Sequence, residues 1–570
     1  MGLSDREFVM FCANKRKKMP SVNIAFFLGG FLYVNAISAQ PVNTDVRLDY
    51  SLIDPNAIYS SQQICPDLAG SVCFSELTEK VYVNNGFLPV WDDSSLRQGL
   101  YSKLSALHLS GLFSGANQRL SELKGLEARK DKRGFDILAT DSYFVLKAIE
   151  QSIENKPTIL FRHQNVQPLN QSEISIFTSS YGYFDLEQTR FLNQLYADLL
   201  LPSSSKTAIH LAGSFNDLAS HGYQPLKRGL IKQGQAIPNG HALLDVLNTY
   251  GDINIDDYLI AREQHTISNS GVVNQAIRRF QLRNGLEDDG ILGPSTSRQI
   301  ALPYQEVARL IALNHYRSQL GATGDERPSI RVNIPDYRLQ ITHNQQVVFE
   351  SKVIVGQTTR PTNLFSSSMN IMVVNPRWNV PETIKKKDVI PGMKASPDYL
   401  QQKNLTMIRS WRDRTEISPD MVEWSNVNPH TFPYEFMQRP GSGNALGNVK
   451  FLMPNDYSVY LHDTPTRSLF NKAKRNLSSG CVRVEKAAEL AEYVLDYQQR
   501  PSWRNYQQLV SDGSTDTITL PRKLDVDVTY VTAWVDENNQ LQLREDIYGY
   551  DRPIRRPVKL KYSTVKNYRQ

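Results

Sequence analysis

The spacing of apolar residues divides the chain into a helical N-terminal part and a strand-rich C-terminal third. From Tyr50 to about Ser220 apolar positions recur at helical intervals, as in Leu104, Leu107, Leu109 and Leu112, or Phe144, Leu146 and Ile149. This predicts a helical platform with long loops. Trp91, in Phe87-Leu88-Pro89-Val90-Trp91, reads as an anchor of that platform's core. A smaller unit is expected between about His221 and Leu302. There Val273, Ile277 and Phe280 share one helical face, Gly285 ends that helix, Asp289-Gly290 marks a turn and Gly293-Pro294 opens the next helix. A further helix is predicted from Tyr304 to Leu320, then a linker from Gly321 to Arg327.

From Ser329 the period becomes alternating. Tyr337, Leu339 and Ile341 point one way, His343-Asn344 suits a turn, and Val347 to Val355 forms a strand rich in β-branched residues. Strands are also predicted at Met369 to Val374 and at Tyr457 to His462. A hairpin is expected between Val528 to Val535 and Leu541 to Leu543, around Asp536-Glu537-Asn538-Asn539. Between Pro381 and about Gly441 the strand pattern lapses into a polar, proline-containing insert with helical stretches, of a length suited to a lid or substrate-binding subdomain.

At 570 residues the chain is too long for one core, and 40% apolar with 21% charged residues suits a folded, water-soluble protein. The start is different. Lys15-Arg16-Lys17-Lys18 precedes an apolar run from Ile24 to Ala36 and then Ile37-Ser38-Ala39, the three parts of a secretory signal or, if uncleaved, an N-terminal anchor. Either way the remainder is exported. Of four cysteines, Cys12 goes with that leader, Cys65 and Cys73 are candidates for a disulfide, and Cys481 is left as an odd thiol that calls for an explanation.

The net charge of +6 is modest but unevenly spread. Between Thr464 and Val484 stand Arg467, Lys472, Lys474, Arg475 and Arg483 with no acid, a field that favours carboxylate ligands. After Asp551 the tail carries only basic charge, which suits a solvated end or a loose attraction to an anionic envelope. An exported chain makes nucleic acid an unsuitable partner.

Strand alternation in Tyr457-Ser458-Val459-Tyr460-Leu461-His462 turns Tyr457, Val459 and Leu461 inward and puts Tyr460 and His462 on the opposite, accessible face. Nineteen positions on lies Cys481, in Ser478-Ser479-Gly480-Cys481-Val482-Arg483. A thiol attacks as thiolate and is mostly protonated at neutral pH, so an imidazole is its usual activator. Gly480 lets the backbone approach a substrate, its N–H and that of Cys481 can face an oxyanion, and Arg483 can pair with a carboxylate.

These segments, HDTP at His462 to Pro465 and SSGCVR at Ser478 to Arg483, resemble the signature of the L,D-transpeptidase family with the YkuD-type catalytic domain. The string AIRRFQLRNGLEDDGILGPST resembles the peptidoglycan-binding module of wall hydrolases, with a plain helical spacer as the alternative. The order of parts is similar to the large periplasmic, YcbB-like branch. The resemblance implies an α+β multidomain protein: a leader or anchor at 1–39, a helical scaffold at 45–220, a small helical peptidoglycan-binding domain at 221–302, and a scaffold helix and linker at 303–327. A mainly β YkuD-type catalytic domain at 328–545 follows, with a lid insert at about 381–441, then a basic tail at 546–570.

The implied chemistry is acyl transfer between peptidoglycan stem peptides. Cys481 attacks the diaminopimelate carbonyl of a tetrapeptide, D-Ala leaves, and a second diaminopimelate amine takes the thioester. His462 serves as base, oriented by a backbone carbonyl, so the adjacent Asp463 is given no triad role. Gly480 completes the catalytic set, while Tyr460, Trp378, Arg483 and Ser479 line the substrate pocket, the two aromatics being equally suited to the core. Ser479 stands where many relatives carry histidine, which leaves His462 as the base. Expected partners are tetrapeptide donor and acceptor stems, carbapenems as acylating inhibitors and other cell-wall enzymes, with no cofactor or metal. The expected compartment is the periplasm, with or without a tether to the inner membrane. Two rivals remain: discharge of the same thioester to water by an L,D-carboxypeptidase, and a non-catalytic wall-binding scaffold.

Overall fold

The computed structural model describes residues 73–113, 115–155, 157–161, 188–218, 230–321, 327–499 and 505–552. The leader or anchor at 1–39, with Cys12, lies outside them, as do Cys65, most of the 321–327 linker and the tail beyond Arg552. Cys73 is disulfide-bonded, but the Cys65 half of the expected pair is among the residues not described.

The N-terminal part is helical: α1 (Ser75–Asn84), α2 (Ser94–Ser110), α3 (Ala116–Ala128), α4 (Lys132–Asn155), α5 (Gln188–Leu199) and α6 (Ser203–Asp217). Local chemistry sets the ends of α2. The Asp93 carboxylate accepts from Ser95 N at the start, and Gly111, at φ 75°, turns the chain out at the end. Leu104, Leu107, Leu112, Phe144, Leu146 and Ile149 are buried in one cluster with Trp91, whose indole N–H donates to Thr140 Oγ1 at 2.9 Å.

A second, smaller core holds α7 (Gly240–Thr249), α8 (Ile255–Arg262), α9 (Gly271–Arg283) and α10 (Pro294–Ile300). Val273, Ile277 and Phe280 bury the inner face of α9, and Gly285 stops it at φ 63°. Helix α11 (Tyr304–Ser318) then packs on α2 and α6 and contributes to the helical core through Leu313 and Tyr316. The small unit is tied to the C-terminal part by Arg283, which is ion-paired with Asp252 and donates to Leu541 O.

The C-terminal part is built on β1 (Ser329–Asn333), β2 (Arg338–His343), β3 (Gln346–Gly356) and β4 (Phe365–Val374). Asn344 and Gln345, both at positive φ, make the β2–β3 turn. After β5 (Trp378–Asn379) an insert carries α12 (Glu382–Ile384), a π turn at Lys385–Val389, α13 (Ile390–Ala395), α14 (Tyr399–Gln402), β6 (Thr406–Ile408) and β7 (Glu435–Gln438). The main sheet resumes with β8 (Val449–Leu452), β9 (Leu461–His462), β10 (Asn476–Ser478) and β11 (Val482–Val484). Helices α15 (Ala487–Tyr497) and α16 (Tyr506–Ser511) follow, then β12 (Asp516–Thr529).

These strands form one sheet in the order β10-β3-β11-β9-β8-β4-β12-β1-β2, and β2 also pairs with β3, so the sheet curls back on itself. Its inner face and α15 share a core of Val332, Leu339, Phe451, Leu461, Val482, Leu490 and their neighbours. The insert has its own three-stranded sheet, β5-β7-β6, and its own core around Ile390, Met407 and Phe436. The expected hairpin is formed by β13 (Ala533–Val535) and β14 (Leu541–Leu543), Ala533 facing Leu543, with the Asp536 carboxylate capping the turn. Val528 belongs instead to the end of β12.

One expectation is corrected here. The segment from Tyr457 to His462 is not a continuous strand: only Leu461 and His462 are, and Tyr457 is 50% exposed. Asn455 captures the backbone that follows it, its side-chain oxygen accepting from Tyr457 N and Val459 N, and Ser458 sits at φ 55°. A polar side chain that binds its own local backbone competes with the strand ladder.

Candidate active site

Strand register builds the site. Strand β11 runs parallel to β9, with Val482 beside Leu461 and Arg483 beside His462, while β8 runs antiparallel to β9 with Lys450 opposite His462. One step back, Val482 N donates to Tyr460 O at 3.2 Å, which leaves Cys481 beside Tyr460. Since side chains alternate, Leu461, Val482 and Phe451 enter the core. Lys450, Tyr460, His462, Cys481 and Arg483 are thereby brought together on the other face.

Cys481 is a free, half-buried thiol at the bend between β10 and β11. Its Sγ is 3.9 Å from Ser458 O, and among the described residues it makes no hydrogen bond to His462. Burial pushes the thiol above its ordinary value; hydrogen bonds from the Tyr460 backbone and hydroxyl, and the charges of Arg483 and Lys450, pull the other way.

His462 is only 5% exposed, so the accessible imidazole expected from alternation is in fact enclosed. Its Nδ1 is 2.6 Å from Asp463 O. A carbonyl can only accept, so Nδ1 carries the hydrogen and Nε2 is left as a lone-pair acceptor. Burial, with Arg483 next, lowers the imidazole to about 3, against the opposing effect of the Asp463 bond. The ring lies 5.6 Å from that of Tyr460. The Asp463 carboxylate is directed elsewhere, accepting from Asn448 N at 2.9 Å and from Arg467 at 2.8 Å.

The loop before the thiol is held by Ser478, the first residue of the SSGCVR motif, and by Thr362, which the sequence did not single out. Ser478 Oγ donates to Cys481 O at 2.6 Å and accepts from Gly480 N at 3.2 Å. Buried Thr362 donates to Gly480 O at 2.7 Å and accepts from Gly356 N at 2.9 Å. This alters the expectation for Gly480. Its N–H is already engaged, and a Cβ there would meet only Pro361 O at 3.7 Å, so glycine is required by its φ of 122° and not by space. Among the described residues the Cys481 N–H has no protein acceptor and is the donor left for an oxyanion.

The remaining expected residues stand around this centre. Trp378, half-buried in β5 at the root of the insert, hydrogen-bonds the Tyr460 hydroxyl, whose own proton affinity is raised by burial and by Cys481. Ser479 is exposed and accepts from Arg360 at 3.0 Å; the same guanidinium grips Asp388 of the insert's π turn with two bonds of 2.6 and 2.9 Å. Arg483 is half-buried with its Nε unsatisfied, and among the described residues neither it nor Lys450 forms an ion pair. Lys450 was legible only as a polar break between Val449 and Phe451; Arg360, Thr362 and Asp388 gave no signal.

Two segments of the chain are similar to known domains. Residues 327–515 match the model described as "L,D-transpeptidase catalytic domain", YkuD, and residues 269–300 match one described as "Putative peptidoglycan binding domain". A Haemophilus influenzae protein described as "Putative L,D-transpeptidase" is 38% identical over 266 residues, 46% of this chain and 52% of the relative. The chain thus spans about half the length of the curated relative it matches. Crystal structures of L,D-transpeptidases from Stackebrandtia nassauensis and Xylanimonas cellulosilytica align over 54% of this chain and 96% and 100% of theirs. Identities are 13% and 14%, and TM-scores 0.20 and 0.15. The α+β architecture agrees with these matches: residues 327–515 are similar to the YkuD-type L,D-transpeptidase catalytic domain, and residues 269–300, ahead of them, to a peptidoglycan-binding module.

Proposed function

We propose that this protein is an exported enzyme that cross-links peptidoglycan stems through a thioester on Cys481, releasing D-Ala from tetrapeptide donors. The observation that carries this reading is the common sheet face of Cys481, Tyr460, His462, Arg483 and Lys450, where a thiol, an imidazole acceptor and unpaired cations converge. The basic and apolar leader before Ala39 supports the periplasm as the compartment, with the leader cleaved or kept as a tether.

Both reacting groups are neutral at rest, because the thiol is pushed up and the imidazole down. Attack is therefore coupled to proton transfer. As Sγ bonds to the diaminopimelate carbonyl carbon, the thiol proton passes to His462 Nε2. The oxyanion takes the Cys481 N–H. When the C–N bond breaks, the imidazolium returns that proton to the departing D-Ala amine. The side-chain amine of a second diaminopimelate then attacks the thioester, gives its proton to His462, and the S–C bond breaks as the thiol is reprotonated. Arg483 receives a substrate carboxylate. The insert serves as a lid over the stem, joined to the nucleophile loop through Arg360.

Intact-mass measurement with a carbapenem, alongside digestion of tetrapeptide muropeptides, tests the reading. The expected result is one adduct on the wild type, none on Cys481→Ala, and cross-linked dimers with free D-Ala. Monomeric tripeptides alone would reassign the acceptor to water. A wild type that takes up no carbapenem mass and turns over no muropeptide would leave only the scaffold reading.

A further inference from the structure

We infer that Lys450 is a specificity-determining residue that reads the terminal carboxylate of the donor stem, forming with Arg483 a two-cation seat beside Cys481. The inference rests on the transpeptidase reading above and goes beyond it in assigning a role to a residue outside both motifs.

Lys450 lies in the middle of β8 between Val449 and Phe451, both fully buried in the core. Alternation therefore throws it to the opposite face, between Val373 of β4 and His462 of β9. Its ammonium stands 5.9 Å from the centroid of the Tyr460 ring, and its charge acts on both Cys481 and His462. The residue is half-buried, and among the described residues its ammonium has neither a hydrogen bond nor an ion pair. Burial lowers its proton affinity, and ionisation of Cys481 would raise it.

A lysine in that position is costly for the fold. An ammonium withdrawn from water without a counter-charge is unfavourable, and contact with one aromatic face is a small offset. Arg483, on the neighbouring strand, has the same deficit, with a buried Nε that meets no acceptor. Two unpaired cations on the thiol's side of the sheet form a seat for an anion that arrives with the substrate.

The donor stem brings such an anion. In the proposed reaction the scissile amide nitrogen belongs to the terminal D-Ala, and its carboxylate is one carbon beyond. With the carbonyl carbon at Sγ, that carboxylate falls within reach of the charges that act on the thiol. The carboxylate at the far end of the diaminopimelate side chain is several bonds further away. Lys450 is thus the cation suited to the leaving residue, and its release follows naturally when D-Ala departs with its charge.

The test compares kcat/KM for D-Ala release from a tetrapeptide stem with D-alaninamide release from the same stem ending in a carboxamide. Wild type is expected to prefer the carboxylate by about tenfold or more, the scale of one charge-assisted hydrogen bond. Lys450→Gln and Lys450→Met should collapse that ratio towards one, chiefly through KM, and Lys450→Arg should restore it. An equal loss on both donors would place Lys450 at the thiol alone and overturn the proposal, as would a wild type that does not discriminate, a result that needs no variant to fold. If the wild type releases product from neither donor, the transpeptidase reading itself fails.

Discussion

His462 Nδ1 lies 2.6 Å from the main-chain oxygen of its own neighbour, Asp463, while the carboxylate of that neighbour faces away towards Arg467 and Asn448. Gly447 makes room for it, since a Cβ there would come within 2.2 Å of the carboxylate. The imidazole is therefore held in its tautomer by backbone, and an acid in the adjacent position is structural. Asp463→Asn is expected to keep kcat within a few fold and to cost about 1 kcal/mol of stability, the ion pair being partly solvent-exposed. His462→Gln should lower kcat/KM by about a thousandfold. Parallel measurements of turnover and denaturation midpoint decide; an Asp463→Asn enzyme as inactive as His462→Gln would show that the carboxylate acts in catalysis.

The electrostatics of the pair give a pH signature. Burial raises the Cys481 thiol and lowers His462 to about 3, so no thiolate–imidazolium pair exists at rest. The rate of Cys481 alkylation by iodoacetamide should climb with pH without a plateau near neutrality, and His462→Gln should leave that profile in place. The base stays unprotonated well below pH 6, so kcat/KM should be flat from pH 7 down to about 5. An acid limb centred near 6.5 would mean that the imidazole titrates as in water.

A second buried histidine links pH to stability away from the site. His315 in α11 is packed against Tyr316, accepts from Gln319 at Nε2, and is lowered to about 4 by burial. Between about pH 6.5 and 4 the unfolded chain binds a proton there that the folded chain refuses. Stability is therefore lost as pH falls through that window and is complete above it, by roughly 1.4 kcal/mol per pH unit. His462 adds the same slope down to about 3. Urea denaturation at pH 7 and pH 5 should show a smaller loss in His315→Gln than in the wild type; an equal loss would mean that His315 is protonated in the fold.

The sequence exposed what depends on local pattern and concealed what depends on cross-chain contact. Helix α9 was legible because Val273, Ile277 and Phe280 recur at one face and Gly285 takes a positive φ. His462 and Cys481 were legible as chemistry, and alternation gave the correct partner for His462 in Tyr460. Its failure at Tyr457 has a local cause, the side chain of Asn455, whose hydrogen bonds outweigh strand propensity. The burial of His462 was hidden because it depends on β9 being flanked on both sides, by β8 and by β11, a pairing that the local pattern of the segment does not specify. Thr362 and Arg360 were hidden for the same reason: each reaches the nucleophile loop across more than a hundred residues.

Arg360 supplies the last prediction. Its guanidinium holds Asp388 of the insert by two bonds and Ser479 of the nucleophile loop by a third, so one side chain spans the insert and the bend that carries Cys481. A lysine cannot reproduce that fork. Both Arg360→Lys and Asp388→Asn should lower kcat/KM for tetrapeptide stems by about tenfold, and the double variant should lose little more than either single one, since both break the same bridge. The second tie, Trp378 on Tyr460, remains in these variants and should keep the thiol's alkylation profile unchanged. Steady-state kinetics of the three variants checks this. Additive losses, or stem turnover equal to wild type in Arg360→Lys, would show that the insert and the nucleophile loop work independently and that the bridge only steadies the surface.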